Sequence, residues 1–286
     1  MKPIETCAVG IVGLGLMGGA FAKGLRRAGL AGAGLFACDK DAAVLAAALA
    51  AGDIDRAFRS PETMLPRCNL VILCVNPSTL LRFMGRFMDD FAPDTLITDI
   101  AGVKSAIAAA MERDLRPDID FIPGHPMAGS EKGGYAHAAS CDFRGRNYIL
   151  TPLRRNKPEN LAFLKDLIAR LGFGRITETT AAAHDRNVAF TSQLSHVIAA
   201  ALIDCETDVS ITRFGGGSFE DLTRIAMLNA PMWTEIFLEN RRELLDRIRQ
   251  FRGSLDRLED LIRKEDSEGL ERTLQNVRER RSRMTC

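Results

Sequence analysis

The sequence carries almost no net charge, and this excludes one large class of partners. Its 38 basic side chains are balanced by 37 acidic ones, which leaves a formal net charge of +1. Nucleic-acid binding normally requires a basic excess to neutralise phosphates, so no nucleic-acid partner is expected. The 286 residues are 46% hydrophobic and 26% charged, as in ordinary globular proteins, and the length suffices for two domains.

Long hydrophobic runs and paired cysteine motifs are also missing. No run is long enough to cross a bilayer, and the first residues lack the apolar core of a signal peptide. The seven cysteines form no CxxC pair and no zinc-type spacing with histidine, so no metal is expected. Several, such as Cys74, lie in apolar runs and indicate buried thiols in a reducing compartment. We expect a cytoplasmic protein with no membrane partner.

A glycine-rich motif follows the first apolar run, residues 8–12. It is a G-x-G-x-x-G sequence that opens a helical pattern. Gly13 permits the tight turn, Gly15 lets the backbone approach a pyrophosphate, and Gly18 lets helix and strand pack closely. The helix N-terminus offers N–H groups to the phosphates. The predicted cofactor loop comprises Gly13, Leu14, Gly15, Leu16, Met17 and Gly18.

An acidic residue ends the second predicted strand, residues 34–38, about 20 residues after the glycines. This residue, Asp39, is expected to accept hydrogen bonds from ribose hydroxyls and to repel a 2′-phosphate. Lys40 follows directly and would soften that repulsion. The predicted cofactor is therefore NAD, with NADP the less favoured alternative.

Strands and helices alternate up to about residue 180. This alternation is typical of a doubly wound, largely parallel sheet that binds ligands at the carboxyl ends of its strands. Val75, Asn76 and Asp99 lie at or just beyond strand ends and are predicted to contact the cofactor. The further predicted strands are 70–75, 96–99, 121–122, 148–150 and 175–177, and the helices are 78–91 and 159–171.

Glycine, proline and small residues surround a single histidine between residues 123 and 134. Their density excludes a helix and predicts a tight, irregular loop. His125 stands just beyond a predicted strand end, where an imidazole would lie beside the nicotinamide. The alternative is a structural turn in which the imidazole caps a carbonyl group. The position at the ligand-binding edge of the sheet favours a catalytic role.

Strand signals stop after about residue 180, and amphipathic helices follow. We expect a dinucleotide-binding, Rossmann-like domain over residues 1–180 and a helical domain over residues 181–286 that supplies substrate contacts and a subunit interface. From spacing alone, His196 would be a core histidine and Arg224 a surface ion-pair residue. The predicted helices are 184–204, 219–227 and 231–251, with further amphipathic patterns to about residue 277.

Taken together, these features resemble the prephenate/arogenate dehydrogenase family of tyrosine biosynthesis. The resemblance spans nearly the whole chain. It implies a Rossmann-like domain, a helical dimerisation domain, and NAD-dependent oxidative decarboxylation of a cyclohexadienyl acid by a homodimer. It rests on the glycine loop, Asp99 with Val103-Lys104, residues 124–131 (Gly-His-Pro-Met-Ala-Gly-Ser-Glu), His184-Asp185, Ser192, His196, residues 221–226 (Asp-Leu-Thr-Arg-Ile-Ala) and Pro231-Met232-Trp233.

The resemblance also implies roles for individual residues. His125 corresponds to the catalytic histidine that hydrogen-bonds the ring hydroxyl and takes its proton. His196 corresponds to a histidine that orients the substrate, and Arg224 to the arginine that holds a substrate carboxylate. Ser130 and Glu131 correspond to a polar pair at the mouth of the pocket.

Two positions depart from the family pattern. Many members carry a serine that hydrogen-bonds the catalytic histidine where this chain has Gly102. Another group, such as a water or Ser105, must then fix the tautomer of that histidine. The family's Ser-His-Leu-Pro-His run is here Ser-Gln-Leu-Ser-His, at residues 192–196, so one histidine is lost and the side-chain pocket is expected to differ.

Two other functions remain open from the sequence. The glycine motif also opens the β-hydroxyacid dehydrogenases, but these place a catalytic lysine after a glycine-rich run, and no lysine closely follows residues 215–217. A nucleotide-sensing homologue without catalysis is the second alternative, against which His125, His196 and Arg224 argue together. The sequence leaves open whether prephenate or arogenate is the substrate, because both present a carboxylate.

Overall fold

The structure is a computed structural model that describes residues 3–129 and 132–284. Its N-terminal half contains a six-stranded parallel sheet with the spatial order 3-2-1-4-5-6. This order is that of a Rossmann-type sheet, which binds ligands where the order reverses, between the first and fourth strands. The predicted fold class is confirmed. The strands are β1 (Ala8–Val12), β2 (Gly34–Cys38), β3 (Arg56–Phe58), β4 (Leu70–Leu73), β5 (Leu96–Asp99) and β6 (Asp120–Ile122).

Both faces of this sheet are covered, and this explains the apolar runs in the sequence. Successive side chains of a strand point to opposite faces. On β1, Val9 and Ile11 belong to one buried cluster, whereas Ala8 and Val12 belong to another. Strands buried on both faces therefore lack a polar alternation. The covering helices are α1 (Leu16–Arg27), α2 (Ala42–Ala50), α3 (Pro61–Met64), α4 (Pro77–Phe87), α5 (Ser105–Asp114) and α6 (Pro158–Arg170).

A second, three-stranded sheet corrects two of the expectations. It consists of β7 (Gly124–Pro126), β8 (Asn147–Leu150) and β9 (Arg175–Glu178), with β7 antiparallel to β8 and β8 parallel to β9. His125 thus lies within a short strand, opposite Ile149, and not in an irregular loop. The later strands also leave the large sheet instead of extending it. A three-residue strand has too few residues to show a periodicity, and periodicity does not reveal which sheet a strand joins.

The C-terminal part is helical, as predicted, but its helices are divided differently. The predicted helix 184–204 contains a π-helical turn, Ala189–Gln193, and the predicted helix 231–251 is divided at Asn240, whose backbone leaves the helical region. The buried Asn240 amide donates to the backbone oxygen of Asp185 and to the side-chain oxygen of Gln193, which explains the break. The helices are α7 (Ala181–Val188), α8 (Leu194–Asp204), α9 (Gly217–Thr223), α10 (Ala230–Glu239), α11 (Arg241–Arg263) and α12 (Ser267–Ser282). Among the described residues, none of the helices has the length and apolarity needed to cross a membrane.

Candidate active site

The glycine loop lies at the reversal point between β1 and β4. Gly13 adopts a φ of 86°, and a Cβ there would lie 2.5 Å from the carbonyl oxygen of Cys74. A Cβ at Gly18 would collide with the carbonyl oxygen of Gly13. A Cβ built on Gly15 would have no neighbouring heavy atom within 4 Å among the described residues. Gly13 and Gly18 are therefore required by packing, whereas Gly15 lines open space that a ligand can approach.

Polar groups around this open space suit a dinucleotide. One Asp39 carboxylate oxygen accepts the Leu14 N–H at 2.6 Å, and the other accepts the Asp41 N–H at 2.9 Å. The carboxylate is thereby held beside the loop. Helix α1 begins at Leu16, and no side chain of the described residues caps its N-terminus at Gly15. The first N–H groups of α1 remain available to phosphates. These residues fit the pyrophosphate and the adenosine ribose of NAD.

The remaining predicted cofactor residues surround the same loop. Leu16 and Met17 form the half-buried first turn of α1. Val75 lies against Gly13, since its methyl group would be 2.9 Å from a Cβ at that glycine. Asn76 is the exposed N-cap residue of α4.

The side chain of Asp99, which the sequence predicts to contact the cofactor, has protein partners instead. Its side chain is fully buried and forms an ion pair with Lys104 Nζ at 2.5 Å. Its carboxylate also accepts N–H groups from Ala101 at 2.9 Å and from Gly124 at 3.1 Å. Because protein groups bind both oxygens, Asp99 ties the end of β5 to β7, the strand that carries His125.

His125 belongs to a chain of three polar side chains that joins the two halves of the molecule. Its Nδ1 lies 2.9 Å from Nε2 of His184, on α7. His184 Nδ1 in turn lies 2.8 Å from an Asp185 carboxylate oxygen. Asp185 accepts the backbone N–H groups of Lys104 and Ser105, each at 2.8 Å. The imidazole of His125 is therefore connected to a carboxylate fixed at the start of α5.

This environment favours neutral imidazoles and an ionised carboxylate. Burial lowers the pKa of His125 well below the ordinary value of 6.5, and positive charge on His184 and Lys104 would lower it further. Burial also lowers the pKa of His184, although its bond to Asp185 opposes the shift. Burial alone would raise the pKa of Asp185, but hydrogen bonds from His184 and Ser105 outweigh it and lower that pKa.

The sequence alone gives His184 and Asp185 no role beyond their place in the family resemblance. His184 lies 59 positions after His125 in the chain. The sequence carries only a weak indication that these two residues are functional. Two adjacent ionisable residues follow three alanines at a predicted helix start, and both side chains are buried in the structure. Ionisable side chains are seldom buried without a partner, but the sequence does not identify that partner.

His196 occupies the first turn of α8, directly after the π-helical turn. Its Nδ1 donates to the backbone oxygen of Ser192 at 2.9 Å, and its ring lies 3.8 Å from the Trp233 ring, centroid to centroid. Burial lowers the pKa of His196. π-helical turns inside α-helices occur frequently at functional sites. This turn sets the orientation of His196 relative to His184 on the preceding helix.

Helix α10 connects the surroundings of His196 and His125. Trp233 stacks on His196, and Ile236 lies one turn further along the helix. A Cβ at Gly102 would lie 3.6 Å from Ile236 and 3.8 Å from His125 Nε2. Residues three positions apart share a helix face. One face of α10 therefore contacts His196 and approaches Gly102, the residue that His125 Nε2 faces.

Arg224 lies beside the later part of α8. It begins a 3₁₀ turn, Arg224–Ala226, that packs against this helix, and its side chain is exposed. It lines a cavity of about 540 Å³ together with Ile203 and Glu220. Ile203 is seven residues after His196, so the two share a face of α8 about 10 Å apart at 1.5 Å per residue. Among the described residues, those lining this cavity do not include His125 or His196. Ser130 and Glu131 lie outside the described residues.

Family models match nearly the whole chain. Residues 21–177 match the model for the nucleotide-binding domain of prephenate dehydrogenase. Residues 180–276 match the model for its dimerization domain.

Individual relatives agree with this match. A cyclohexadienyl dehydrogenase of Zymomonas mobilis is 31% identical over 92% of this chain and 90% of its own. The crystal structure of prephenate dehydrogenase from A. aeolicus, in complex with hydroxyphenyl propionate and NAD⁺, is 31% identical with a TM-score of 0.86, over 96% of this chain and 97% of its own. The structure of Synechocystis arogenate dehydrogenase is 30% identical, with a TM-score of 0.79. The match covers 96% of this chain and 99% of that one.

Proposed function

The chain belongs to the prephenate dehydrogenase family, and on this basis we propose that it oxidises and decarboxylates a cyclohexadienyl acid in tyrosine biosynthesis. The acid is prephenate, arogenate or both, and NAD is the cofactor. The observation that carries the proposal is the placement of His125 on β7, a strand of the smaller sheet that Asp99 ties to the carboxyl end of β5, with Nδ1 bound by His184 and Nε2 facing the side-chain-free Gly102.

The proposed reaction begins at a ring carbon that bears a hydroxyl group. Bound NAD⁺ supplies the hydride acceptor. The hydroxyl group must lose its proton as carbonyl character develops, and His125 is the base for this step. Loss of CO₂ from the opposite ring carbon then gives an aromatic ring, which provides a strong thermodynamic drive. The protein contributes the base and the alignment of the reacting carbons.

Residues around β1 and β4 would hold the cofactor. The N–H groups at the start of α1 would bind its phosphates, and Asp39 would bind its ribose hydroxyls. Gly15 leaves the space that the pyrophosphate requires. We leave the Asp99 carboxylate out of this set, because Lys104 and backbone groups already bind it.

Purified protein should form NADH and a 4-hydroxyphenyl product from prephenate, arogenate or both. The product is identified by chromatography against 4-hydroxyphenylpyruvate and tyrosine, so paired assays also give the substrate preference. Activity on 3-hydroxy acids alone would favour a β-hydroxyacid dehydrogenase. NAD binding without turnover of any of these acids would favour a non-catalytic homologue.

In the pH profile of kcat/KM, the midpoint of the acid limb should lie well below pH 6.5. Protonation of His125 abolishes its action as a base, and burial lowers its pKa in the folded protein. The fraction of active base therefore stays high as the pH falls through 6.5 and decreases only near the lowered pKa. Burial is the largest cause of the lowered pKa of His125, and positive charge on His184 and Lys104 adds to it. A pH profile at saturating NAD⁺ measures it, and an acid limb at or above pH 6.5 would contradict the prediction.

Arg224 is the proposed ligand of a substrate carboxylate. Its planar guanidinium can bind both carboxylate oxygens, which a lysine cannot reproduce. Arg224→Ala should raise the substrate KM about 10- to 100-fold with a small change in kcat, since a hydrogen bond to a charged group contributes about 1.5–3 kcal/mol. Arg224→Lys should be intermediate, and Arg242→Ala, at another exposed arginine, should leave KM unchanged. An unchanged KM in Arg224→Ala would assign the carboxylate to another residue.

We further propose a boundary near residue 180 between a cofactor domain and a helical domain that forms a homodimer. The support for a dimer is the exposed apolar surface of the helical part, where Val209, Phe214 and Met227 are 84%, 90% and 72% exposed. Large exposed apolar patches mark interaction sites. A cytoplasmic location is also proposed, because buried thiols such as Cys68 suit a reducing compartment.

The dimer can be tested by charge substitution. Phe214→Glu should lower the molar mass in sedimentation experiments from dimer towards monomer, because a charge would be buried at the interface. Leu49→Glu, at an exposed leucine of α2, should leave the mass unchanged. A monomeric parent protein, or an unchanged dimer in a Phe214→Glu/Met227→Glu variant, would contradict this interface.

A further inference from the structure

We infer that His184 and Asp185 are positioning residues that fix the tautomer of His125, so that Nε2 is the atom that accepts the substrate proton. The inference rests on the proposed function, since it names the basic atom of that reaction. It also answers how this chain holds its catalytic imidazole without the serine that Gly102 replaces. His184 binds Nδ1 in place of that serine, and Ser105 contributes by bonding to Asp185 through both its backbone N–H and its side chain.

The Asp185 carboxylate has a fixed orientation. Each of its oxygens accepts one backbone N–H from the start of α5, those of Lys104 and Ser105, at 2.8 Å. These two bonds fix the plane of the carboxylate. An ionised carboxylate only accepts hydrogen bonds. The 2.8 Å contact with His184 therefore requires a proton on His184 Nδ1.

The proton on His184 Nδ1 in turn determines the tautomer of His125. A neutral imidazole carries a single N–H, so a proton on His184 Nδ1 leaves its Nε2 with a lone pair. That Nε2 lies 2.9 Å from His125 Nδ1, which must then donate. The opposite tautomer of His125 would place a lone pair on its Nδ1 against the lone pair on His184 Nε2. His125 thus has its proton on Nδ1 and its lone pair on Nε2.

His125 Nε2 faces Gly102. A Cβ built on Gly102 lies 3.8 Å from it, and the same position lies 3.6 Å from Ile236. A serine at position 102 would bring a hydroxyl close to this lone pair, whereas glycine brings none. The substrate hydroxyl can thus donate to Nε2. Nε2 would take the hydroxyl proton, and the electron pair of the broken O–H bond would form the carbonyl while bound NAD⁺ would supply the acceptor for the hydride.

Asp185 also stabilises the charged state that this step creates. Proton uptake converts His125 to an imidazolium whose Nδ1–H still donates to His184. His184 remains bound to the carboxylate of Asp185, so the new positive charge is connected to a fixed negative charge through one neutral ring. A buried carboxylate has the same function behind the histidine of serine-protease triads, where the wrong tautomer reduces kcat by about 10⁴-fold.

Two substitutions of His184 separate positioning from simple packing. His184→Phe fills the site but offers no acceptor to His125 Nδ1, so kcat should fall by about 10²-fold or more. In His184→Gln the Asp185 carboxylate attracts the amide NH₂ group and leaves the amide oxygen towards Nδ1. This variant should retain kcat within about tenfold. KM for NAD⁺ should stay constant in both, and His137→Phe, at an exposed histidine, should match the parent protein.

The tautomers themselves can be measured by ¹⁵N NMR of the histidine rings. The chain has only 4 histidines, so single substitutions assign each signal. In the parent protein and in His184→Gln, His125 should carry its proton on Nδ1, whereas His184→Phe should show a mixture or the Nε2–H form. An Nε2–H form of His125 in the parent protein would overturn the inference, as would full kcat in a folded His184→Phe variant.

The NMR result also separates this inference from the proposed function. If the parent protein turns over the substrate but His125 carries its proton on Nε2, the tautomer assignment fails alone. If the tautomers are as inferred but neither acid is turned over, the proposed function fails and the assignment stands. If His184→Phe does not fold, the spectrum of the parent protein still decides.

Discussion

Replacement of His125 by Asn should reduce kcat by at least about 10²-fold, the usual contribution of a general base. The asparagine amide can still donate to His184 in place of Nδ1–H, so the local structure should persist. It has no basic atom at the position of Nε2, and the substrate hydroxyl would lose its proton acceptor. Steady-state kinetics on the preferred substrate measure the effect.

Affinity for NAD⁺ provides the internal control for this variant. The residues proposed to hold the cofactor lie around β1 and α1, whereas His125 lies on β7 of the smaller sheet. Calorimetric titration should therefore give the same dissociation constant for His125→Asn and the parent protein. His137→Asn, at an exposed histidine, should keep full activity. A His125→Asn protein with near-normal kcat would remove His125 from the role of base.

The second large effect is expected on stability, at the buried ion pair of Lys104 and Asp99. Both side chains are fully inaccessible and lie 2.5 Å apart. Lys104→Met leaves the Asp99 carboxylate buried without its counter-charge, which typically destabilises a protein by about 3–5 kcal/mol. The backbone N–H groups of Ala101 and Gly124 still bind the carboxylate, so the lower part of this range is expected. The midpoint and slope of urea unfolding measure the change.

Two further variants test the cause of that loss. Lys104→Met/Asp99→Asn removes both charges and keeps an acceptor for the backbone, so it should recover a large part of the stability. Lys157→Met breaks an exposed pair with Asp94, in which the side chains are 45% and 82% accessible, and should change stability by at most about 1 kcal/mol. If Lys104→Met and Lys157→Met lowered the free energy of unfolding equally, burial of the ion pair would not be the cause of the loss.

The sheet of the N-terminal half could be predicted from the sequence because its signals are local. The spacing of Gly13, Gly15 and Gly18 between a strand and a helix identifies the dinucleotide-binding turn, and fully buried strands produce continuous apolar runs. The sequence does not indicate the short strand β3, because its three residues include an exposed arginine, Arg56, and carry no apolar run.

Features that depend on distant contacts could not be predicted in the same way. Asn240 divides a predicted helix because its side chain binds Asp185 and Gln193, which are 55 and 47 positions away. His125 lies on a strand because β8 pairs with it, and its imidazole is bound by a histidine from the helical part. The sequence indicates which residue types carry chemistry, but these pairings arise only when the two halves pack together.

The most direct test of the account is a crystal structure of the protein with NAD⁺ and a 4-hydroxyphenyl acid bound together. The account predicts that His125 Nε2 lies about 2.6–3.2 Å from the ring hydroxyl, the distance of a working general base, and that Arg224 contacts the carboxylate. A complex in which the hydroxyl binds elsewhere, with the imidazole more than about 6 Å away, beyond hydrogen-bond reach even through one water, would contradict it.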